Sequence, residues 1–585
     1  MSREGFYVAA FLFLIVFFSN RSETAGQTNA AVPDAYNFSD YAQATSFGGG
    51  GGVEGSIMLG KVTDSSIAVN VIFDRSDAVT TVDEIYVEYG TTAGDYIGQT
   101  TADTNVDMSN QTPYEVDITG LSADTRYYYR VVPTINSNVL FSPEYTFITQ
   151  RSPGAAFAFD VIADSHLIKQ KLHCVPSRYL QAVNNVTGGT PDFVLDLGDT
   201  FRVSKYNNDE SSYTQEMVHE IFVDQRRFMG HYSHSAPTMY AVGNHEWQDN
   251  QHFTYGVAYF SKNSQKLYIP TPVPDSFYTG NAITNDNLIG DKLLENYYAW
   301  EWGDALFIAV DPGWYSVLGW DSKGWDCSLG YDQFMWLKNT LESSTATYKI
   351  IFLHHMIGTT RGNTRVAIGG DTEWNCRNNT TFNDKRPGWG GECVQEILEA
   401  NGVDLLIQGH DHLYARGSYN GVTLLSCPMP GAQPPWGGGA DAENWDGIDD
   451  MVLGNSGHVR VEVDPTVGIT FTYYYASFGI GNMDSYTGYT ETAEIRSDSG
   501  YPGGTYVNLQ VADDYTIYKP ITGAIINIGD INRDGRVDLK DVIVSLQIVT
   551  QTTPNGSVFT DADVNGDSRV GMEETIYGLH KVANQ

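Results

Sequence analysis

The sequence predicts three folded domains: an N-terminal β-sandwich, a central layered α/β domain and a small helical domain at the C-terminus. Short segments of period-two alternation occupy residues 56–150, and apolar runs alternate with helix-like stretches over 155–480. Two acidic loops, each followed by an apolar helix-like stretch, lie within 524–585. The 585 residues suit three or four domains of roughly 150 residues each.

Residues 1–25 have the pattern of an export signal. Arg3 precedes an apolar run from Phe6 to Phe18, and small residues near Ala25 provide a cleavage position. The run is too short for a membrane span, and no later segment is long and apolar enough to cross a bilayer. Residues 26–55 are small and polar, which is typical of a flexible lead-in. The sequence therefore predicts a protein that is secreted, periplasmic or on the cell surface.

The composition excludes some functions. The chain has 34 Lys and Arg against 71 Asp and Glu, a formal net charge of −37, which disfavours nucleic-acid binding. None of the five cysteines forms a CxxC pair, so a zinc knuckle is not expected. Export favours one or two disulfides with at least one thiol left over, and the pairing stays open.

The segment over 56–150 reads as a small antiparallel sandwich. Ser66–Phe73 and Thr125–Val132 alternate apolar and polar residues between turns. In Tyr114–Arg130 a Leu-containing turn precedes a Tyr-rich strand, and this stretch resembles a fibronectin type III domain. The resemblance implies a structural spacer or, as the alternative, a binding module.

Five blocks of potential ligands in the central region each follow a short apolar run. They are Asp164-Ser165-His166, Gly198-Asp199, Gly243-Asn244-His245-Glu246, His354-His355 and Gly409-His410-Asp411-His412. Because binding crevices in open α/β sheets lie at the carboxyl ends of strands, we expect the blocks to converge there. Imidazole, carboxylate and amide donors suit Fe, Mn or Zn. A carboxylate such as Asp199 can bridge two cations about 3.5–4 Å apart.

In this order the blocks resemble the calcineurin-like metallophosphoesterases, whose pattern is matched across 164–412. The resemblance implies an α/β metallophosphoesterase sandwich and two divalent transition-metal ions (Fe, Mn or Zn). It implies one ion held by Asp164, His166, Asp199 and His412, and another held by Asp199, Asn244, His354 and His410. Adjacent histidines point to opposite faces of a strand, so only one of His354 and His355 is expected to be a ligand, and we favour the first.

The same resemblance implies a mechanism. A metal-bridging hydroxide attacks the phosphorus of a small phosphoester substrate, and His245 protonates the leaving oxygen or stabilises the transition state. Glu246 and Asp411 either orient neighbouring histidines or are solvated carboxylates. Arg416 either contacts phosphate or forms a surface salt bridge.

A sandwich before such a core, and the stretch Gly409–Arg416, also resemble the purple acid phosphatases. The sequence departs from that family in two places. It has His166 where the family lacks a histidine, and Arg202 where the family's metal-binding tyrosine would fall. The departures argue against a purple iron–tyrosinate centre.

The C-terminal loops carry oxygen ligands at the spacing of calcium-binding loops. The candidate calcium ligands are Asp530, Asn532, Asp534, Arg536, Asp538 and Asp541 in the first loop, and Asp563, Asn565, Asp567, Arg569 and Glu574 in the second. Two such loops with following helices resemble a type I dockerin domain, which implies a cohesin partner on another protein. The usual Ser-Thr pair is replaced by Leu539-Lys540 and Met572-Glu573, so a calcium-stapled terminal domain is the alternative. Residues 481–523 are expected to form a connector.

Two functions remain from sequence. The first is a secreted metal-dependent hydrolase, a phosphatase or phosphodiesterase. The alternative is a calcium-dependent extracellular interaction protein with a non-catalytic phosphoesterase scaffold. The aromatic loops at Trp314, Trp320, Trp325 and Trp436 either pack as anchors or admit lipid phosphoesters.

Overall fold

The computed structural model describes most of the chain beyond residue 37. The described residues are 38, 41–48, 52–167, 174–200, 213–246, 257–283, 293–315, 325, 328–354, 373–374, 381–432, 449–495, 504–519, 528–532, 536–552, 554, 558–559, 562, 564–565 and 569–583. The predicted export signal, His355 and Arg202 lie outside them. Among the described residues, no helix combines the length and the apolar character that crossing a membrane requires.

The N-terminal domain is the predicted β-sandwich. One sheet has the order β1-β2-β3-β7 and the other β10-β8-β4-β5, with β6 on β4 and β9 on β8. Its strands are β1 Thr45–Phe47, β2 Val53–Gly60, β3 Ser66–Phe73, β4 Thr81–Gly90, β5 Gly98–Gln99, β6 Asp103–Asp107, β7 Tyr114–Thr119, β8 Arg126–Ile135, β9 Asn138–Val139 and β10 Tyr145–Ile148. The apolar members of the alternating segments face inward: Ile67, Val69, Val71 and Phe73 are all buried.

The central domain packs two sheets face to face, with helices outside. Its described elements are β11 Phe157–Ile162, α1 Pro176–Gly189, β12 Phe193–Asp196, α2 Gln215–Ser233, β13 Thr238–Tyr240, α3 Val257–Tyr268, β14 Thr279–Gly280, β15 Tyr298–Trp302, β16 Ala305–Ala309, α4 Tyr331–Ser343, β17 Tyr348–Leu353, α5 Phe382–Lys385, α6 Val394–Ala400, β18 Leu405–Gln408, β19 Tyr414–Tyr419, β20 Val422–Ser426, β21 Asp449–Leu453, β22 Gly457–Asp464, β23 Gly468–Tyr475, β24 Glu494–Ile495, β25 Gly504–Thr505 and β26 Val511–Tyr518. The first sheet has the order β13-β12-β11-β22-β23-β26 and the second β14-β15-β16-β17-β18-β20-β19-β21. The strands that precede the ligand blocks are parallel within each sheet: β11 to β12 to β13, and β17 to β18.

Aromatic side chains fill the layer between the two sheets. Phe159 stacks on Phe193 with ring centroids 5.2 Å apart, and Phe307 meets Phe159 edge-on, also at 5.2 Å. Trp300 stacks on Phe307 at 4.9 Å and is 2% exposed. Such rings bury large apolar areas and prefer these offset and edge-on geometries. The layer therefore fixes how the two sheets face each other.

A buried arginine ties the sandwich to the central domain. Arg226 on α2 is 1% exposed and donates to Ser56 O and Asn70 Oδ1 of the sandwich, at 3.2 and 2.7 Å. It also donates to Tyr268 O at 2.7 Å. Burial lowers the pKa of Arg226 to about 9, because removal from water disfavours the charged form of the guanidinium.

The C-terminal domain contains two packed helices, α7 Leu539–Val549 and α8 Met572–Ala583. Thr575 Oγ1 donates to Ser545 Oγ at 2.7 Å between them. Ile531, Val544, Ala562 and Val570 form its small core.

The observed boundaries differ from the predicted ones at two places. The lead-in contains β1, which pairs antiparallel with β2, and Phe38 and Tyr41 are buried. The connector contains β26, which joins the first central sheet as an edge strand beside β23. Both segments are short or polar at alternate positions, which hides them in the sequence, yet Phe47 of β1 and Tyr515 and Ile517 of β26 pack on the core.

The three described cysteines, Cys174, Cys393 and Cys427, are buried, and Cys327 and Cys376 lie outside the described residues. Trp314 is 4% exposed, and Trp325 packs against Phe382 at 5.7 Å, so both act as packing anchors. Trp320 and Trp436 are not among the described residues.

His458 on β22 makes the stability of the central domain depend on pH. Burial lowers its pKa to about 3, and the nearby Arg460 acts in the same direction. The unfolded chain takes up a proton near pH 6.5 that the folded chain excludes, so the contribution of this residue is complete above pH 6.5 and is lost as the pH falls toward 3. We expect His458→Phe to remove about 2 kcal/mol of the stability difference between pH 7 and pH 5. Thermal unfolding of both proteins at the two pH values measures this, with exposed His580→Phe as control. An unchanged pH dependence in His458→Phe would contradict the assignment.

Candidate metal centre

The carboxyl ends of five strands bring the predicted ligand blocks together. β11 leads to Asp164, β12 to Asp199, β13 to Asn244, β17 to His354 and β18 to His410. Because β11, β12 and β13 are parallel to each other, and β17 is parallel to β18, their ends share an edge within each sheet. The face-to-face packing of the sheets then brings the two edges together.

The first ligand group is Asp164, His166 and His412, whose ligand atoms all lie within 4.8 Å of one another. His166 Nε2 is 2.8 Å from His412 Nε2 and 3.6 Å from Asp164 Oδ1. It is also 3.7 Å from Asp199 Oδ2. All four residues are buried. Two imidazoles and two carboxylates at this spacing match the set predicted for one metal ion.

The second group is Asp199, His354 and His410, also within 4.8 Å of one another. His354 Nε2 is 3.1 Å from Asp199 Oδ2. Asn244 Oδ1 completes the group at 3.1 Å from His354 Nε2 and 2.9 Å from His410 Nδ1. Asp199 lies in reach of both groups, as a bridging carboxylate must.

Five of the seven predicted ligands have left-handed backbones. Their φ angles are +57° at Asp164, +44° at His166, +48° at Asp199, +72° at His410 and +64° at His412. Non-glycine residues rarely adopt this region, at a cost of about 1–3 kcal/mol each, and such residues cluster at functional sites. The strained residues lie where each ligand loop leaves the end of its strand.

Glycines permit the close approach of the ligand loops. A Cβ atom at Gly243 would lie 2.2 Å from Asp199 N, and one at Gly409 would lie 2.6 Å from Asp164 Oδ2. Neither distance is sterically possible for a real side chain. These positions need glycine for space, whereas Gly198 also has a positive φ of +83°.

Hydrogen bonds between the loops hold the ligands in place. Asp164 N donates to Gly198 O and His166 N donates to Asp199 O, both at 3.0 Å. His354 Nδ1 lies 2.9 Å from Leu197 O. A donor at Nδ1 leaves the Nε2 lone pair directed at the centre, which is the tautomer that a metal ligand needs.

The electrostatics of the centre favour added positive charge. Burial alone would lower the pKa of His354, yet Asp199 and Asp164 raise it to about 10. Burial alone would raise the pKa of Asp199, yet His354 and His245 hold it well below its ordinary value. Two buried carboxylates therefore draw cationic partners into the site. This field, together with the N and O donors, fits two divalent transition-metal ions.

His245, the predicted acid, lies beside the bridging carboxylate. Its backbone N–H donates to Asp199 Oδ1 at 2.7 Å, and its Nε2 is 3.8 Å from Asp199 Oδ2. Its ring meets that of His166 edge-on, with centroids 5.1 Å apart. The side chain is 10% exposed, whereas those of His166 and His354 are fully buried. It is therefore more accessible than His166 and His354.

Glu246 supports the ligand loops through backbone amides. Its Oε2 accepts from Asp199 N at 2.9 Å and from Gly243 N at 2.8 Å. The sequence suggested that it orients a neighbouring histidine, but these bonds fix the main chain of the bridging aspartate.

Asp196 was missed at the sequence level because it looked like an interior strand residue. Its Oδ1 accepts from Gly198 N at 3.1 Å and from Thr200 Oγ1 at 2.8 Å, and burial raises its pKa to about 6. The only available signal was a carboxylate inside an otherwise apolar run.

Arg416 forms an ion pair, the second of its two predicted alternatives. Its Nε lies 2.6 Å from Asp513 Oδ2 on β26, and its guanidinium lies over the Tyr515 ring. The pair is buried rather than on the surface, with side chains 9% and 8% exposed. Arg416 is thus committed to joining β19 to β26, which corrects the prediction of a phosphate contact.

Sequence families match both parts of this architecture. Residues 157–414 match the calcineurin-like phosphoesterase family, and residues 57–149 match the purple acid phosphatase N-terminal domain. The central domain is thus similar to calcineurin-like phosphoesterase domains, and the sandwich before it is similar to the N-terminal domain of purple acid phosphatases. Both similarities agree with the predicted core and layout. No curated protein matches the sequence.

Solved structures share the fold at low sequence identity. The structure of PhoD is 14% identical, with a TM-score of 0.54, over 80% of this chain and 93% of that one. The purple acid phosphatase PPD1 from yellow lupin (Lupinus luteus) seeds is 16% identical, with a TM-score of 0.49, over 79% and 74% of the two chains. The first likeness confirms the fold, a β-rich domain followed by an α/β domain.

The contacts of Glu246 predict its importance for metal binding. We expect Glu246→Ala to weaken metal affinity by about 10–100-fold, because the loop carrying Asp199 loses its anchor. Glu246→Gln should retain most of the affinity, since an amide oxygen can accept the same two N–H bonds. Chelator competition measures the affinities, with the half-exposed Glu462→Ala as control. Equal affinities in Glu246→Ala and the unmodified protein would contradict this role.

Proposed function

We propose that the protein is a metal-dependent phosphoester hydrolase that holds two divalent transition-metal ions, Fe, Mn or Zn. The observation that carries the proposal is Asp199, which lies within ligand distance of two groups of buried histidines and carboxylates. A non-catalytic scaffold would have no need to hold five of the candidate ligands in left-handed backbone conformations. The alternative, an interaction protein with an inactive core, is therefore less well supported.

Each residue of the centre has a distinct proposed role. Asp164, His166 and His412 would hold one cation, Asn244, His354 and His410 would hold the other, and Asp199 is placed to serve both. When bound, such a pair lowers the pKa of water and neutralises charge on the phosphoester oxygens. His245 delivers a proton to the leaving oxygen, since its partly exposed imidazole is outside the proposed ligand set and lies 3.8 Å from Asp199 Oδ2. Glu246 fixes the main chain of Asp199 through its hydrogen bonds to Asp199 N and Gly243 N.

Hydrolysis of nitrophenyl phosphate and bis-nitrophenyl phosphate, with Mn, Zn, Fe or Mg supplied, tests the function. We expect metal-dependent turnover, and the ratio of the two rates separates monoesterase from diesterase. Asp199→Asn should nearly abolish turnover because both cations lose a charged ligand. No turnover with measured metal occupancy would favour the interaction-protein alternative.

In the same assay, His245→Ala reports on the proposed acid. We expect a loss of about 10²–10⁴-fold with an alkyl phosphoester, whose leaving oxygen needs a proton. With nitrophenyl substrates the loss should be much smaller, because nitrophenolate leaves without protonation. Equal losses with both leaving groups would show that His245 does not act as the acid.

We further propose that the C-terminal domain binds calcium and docks on a cohesin-type partner outside the cell. Two buried carboxylates support the first part. Asp541, fully buried, accepts from Asn532 N at 3.0 Å and Asp538 N at 2.8 Å. Glu574, 1% exposed, accepts from Val564 N and Gly571 N. Asp534, Asp563 and Asp567 lie outside the described residues. The contacts above therefore support only some of the predicted calcium ligands in each loop.

An apolar surface supports docking. The loops and helices repeat at an offset of 33 residues, and matching apolar residues are exposed on both helices. They are Leu539, Ile543 and Leu546 on α7, and Met572, Ile576 and Leu579 on α8, each 40–55% exposed. Their i, i+4, i+7 spacing gives one stripe per helix. Contiguous apolar surface of this kind is typical of an interaction site.

A matched pair of variants tests calcium binding. Glu574→Ala should lose one calcium ion per chain and make α8 more sensitive to proteolysis, because the twelfth loop position supplies an essential oxygen. Neighbouring Glu573 is exposed, and Glu573→Ala should keep the full complement. Calcium is counted by elemental analysis after dialysis. The same calcium content in both variants would contradict the site.

A further inference from the structure

The turn that carries Asp199 is held from behind by buried polar side chains outside the proposed ligand set. Asp196 and Thr200 lie on the two sides of this turn, and each is 1% exposed. Asp196 Oδ1 accepts from Gly198 N at 3.1 Å and from Thr200 Oγ1 at 2.8 Å. One carboxylate oxygen therefore fixes the chain both before and after Asp199.

Thr200 also joins this turn to the neighbouring ligand loop. Its carbonyl oxygen accepts from Ser165 Oγ at 3.1 Å, and Ser165 lies between Asp164 and His166 in the chain. Gln225 Nε2 of α2 donates to the same oxygen. Ser165 and Gln225 are both buried. Thr200 thus connects the turn to α2 and to the loop that carries two ligands of the first group.

The turn needs this support because its backbone is strained. Asp199 has a φ of +48°, a conformation that residues other than glycine keep only where surrounding contacts impose it. A turn that relaxed toward ordinary angles would move the Asp199 carboxylate, whose Oδ2 now lies 3.7 Å from His166 Nε2. The contacts behind the turn therefore bear on metal affinity as well as on folding.

These contacts act unequally on the two ligand groups. They join the Asp199 turn to the loop of Asp164 and His166, and these three residues are most of the proposed ligands of the first cation. The second group meets the same strand end through a different contact, in which His354 Nδ1 lies 2.9 Å from Leu197 O. A defect behind the turn should therefore weaken the first cation more than the second.

We propose that Asp196, Thr200, Ser165 and Gln225, here called the Thr200 network, are positioning residues that set the affinity of the first ligand group for its metal ion. The proposal rests on the proposed two-metal centre and gives a role to residues outside its ligand set. Its signature is a loss of affinity that falls mainly on one of the two ions.

Titration of the full chain with Co²⁺ tests the proposal, because the visible absorption of bound cobalt is measured without any substrate. Calcium is kept in excess so that oxygen ligands in the C-terminal loops do not take up cobalt. His410→Ala removes a ligand of the second group and leaves the first ion to be measured, and His412→Ala does the reverse. In the His410→Ala background, Thr200→Val should weaken cobalt binding about 10–100-fold, because it keeps the side-chain shape and loses the hydroxyl. In the His412→Ala background the same change should have a much smaller effect.

Three further variants separate the hydroxyl from general destabilisation. Thr200→Ser keeps the hydroxyl and should retain the affinity. Ser165→Ala removes the bond to Thr200 O, so it should reproduce the loss even where Thr200→Val does not fold. Thr470→Val is the matched control, since it loses a 3.0 Å hydroxyl contact with Thr516 Oγ1 near the start of β11, at the opposite end from the ligands.

Unchanged cobalt affinity in folded Thr200→Val would overturn the proposal, and so would a loss that is equally large in Thr200→Ser. Equal losses for the two ions would also overturn it, because the network would then support the whole centre without acting on the first ion. The expected cobalt pattern without turnover of any phosphoester would support the network while contradicting the proposed hydrolase.

Discussion

Two carboxylates, Asp164 and Asp199, are buried a few ångströms apart with no solvent to screen them, and the rest of the central domain is organised around that charge. Each could exist alone only at a large desolvation cost. Histidines from four strand ends gather near them, and the pKa of His354 rises in response. The centre is electrostatically incomplete without added cations. Its ligand geometry is therefore best understood as preorganisation for metal.

The preorganised ligands have strained backbone conformations, and packing away from the centre holds these conformations in place. The left-handed turns at Asp164 and Asp199 are held by main-chain bonds between the two loops, and by Glu246 beneath them. The loops keep this register because the aromatic layer around Phe159, Phe193 and Phe307 fixes the strands that carry them. A rigid layer of this kind can hold unfavourable backbone angles that a mobile loop would relax.

Sequence was informative where chemistry needs particular residues in a fixed order. The convergence of the seven candidate ligands and His245 could be predicted because glycines and apolar runs frame each block. Arg416 could not, because its partner Asp513 lies about a hundred residues later in a strand too polar to be recognised. The role of Glu246 was also hidden, since a carboxylate bonded to backbone leaves no side-chain pattern. The pairing of Asp160 with Arg460 was also hidden, because strand register and not sequence spacing joins them.

Arg226 links the N-terminal sandwich and the central domain through buried hydrogen bonds, so each domain depends on the other. Its guanidinium is sealed between α2 and the sandwich, with its hydrogen bonds divided between Ser56, Asn70 and Tyr268. If the central domain were joined to an unrelated neighbour, the buried charge of Arg226 would lose its partners Ser56 and Asn70. The two large domains are therefore expected to be inherited together.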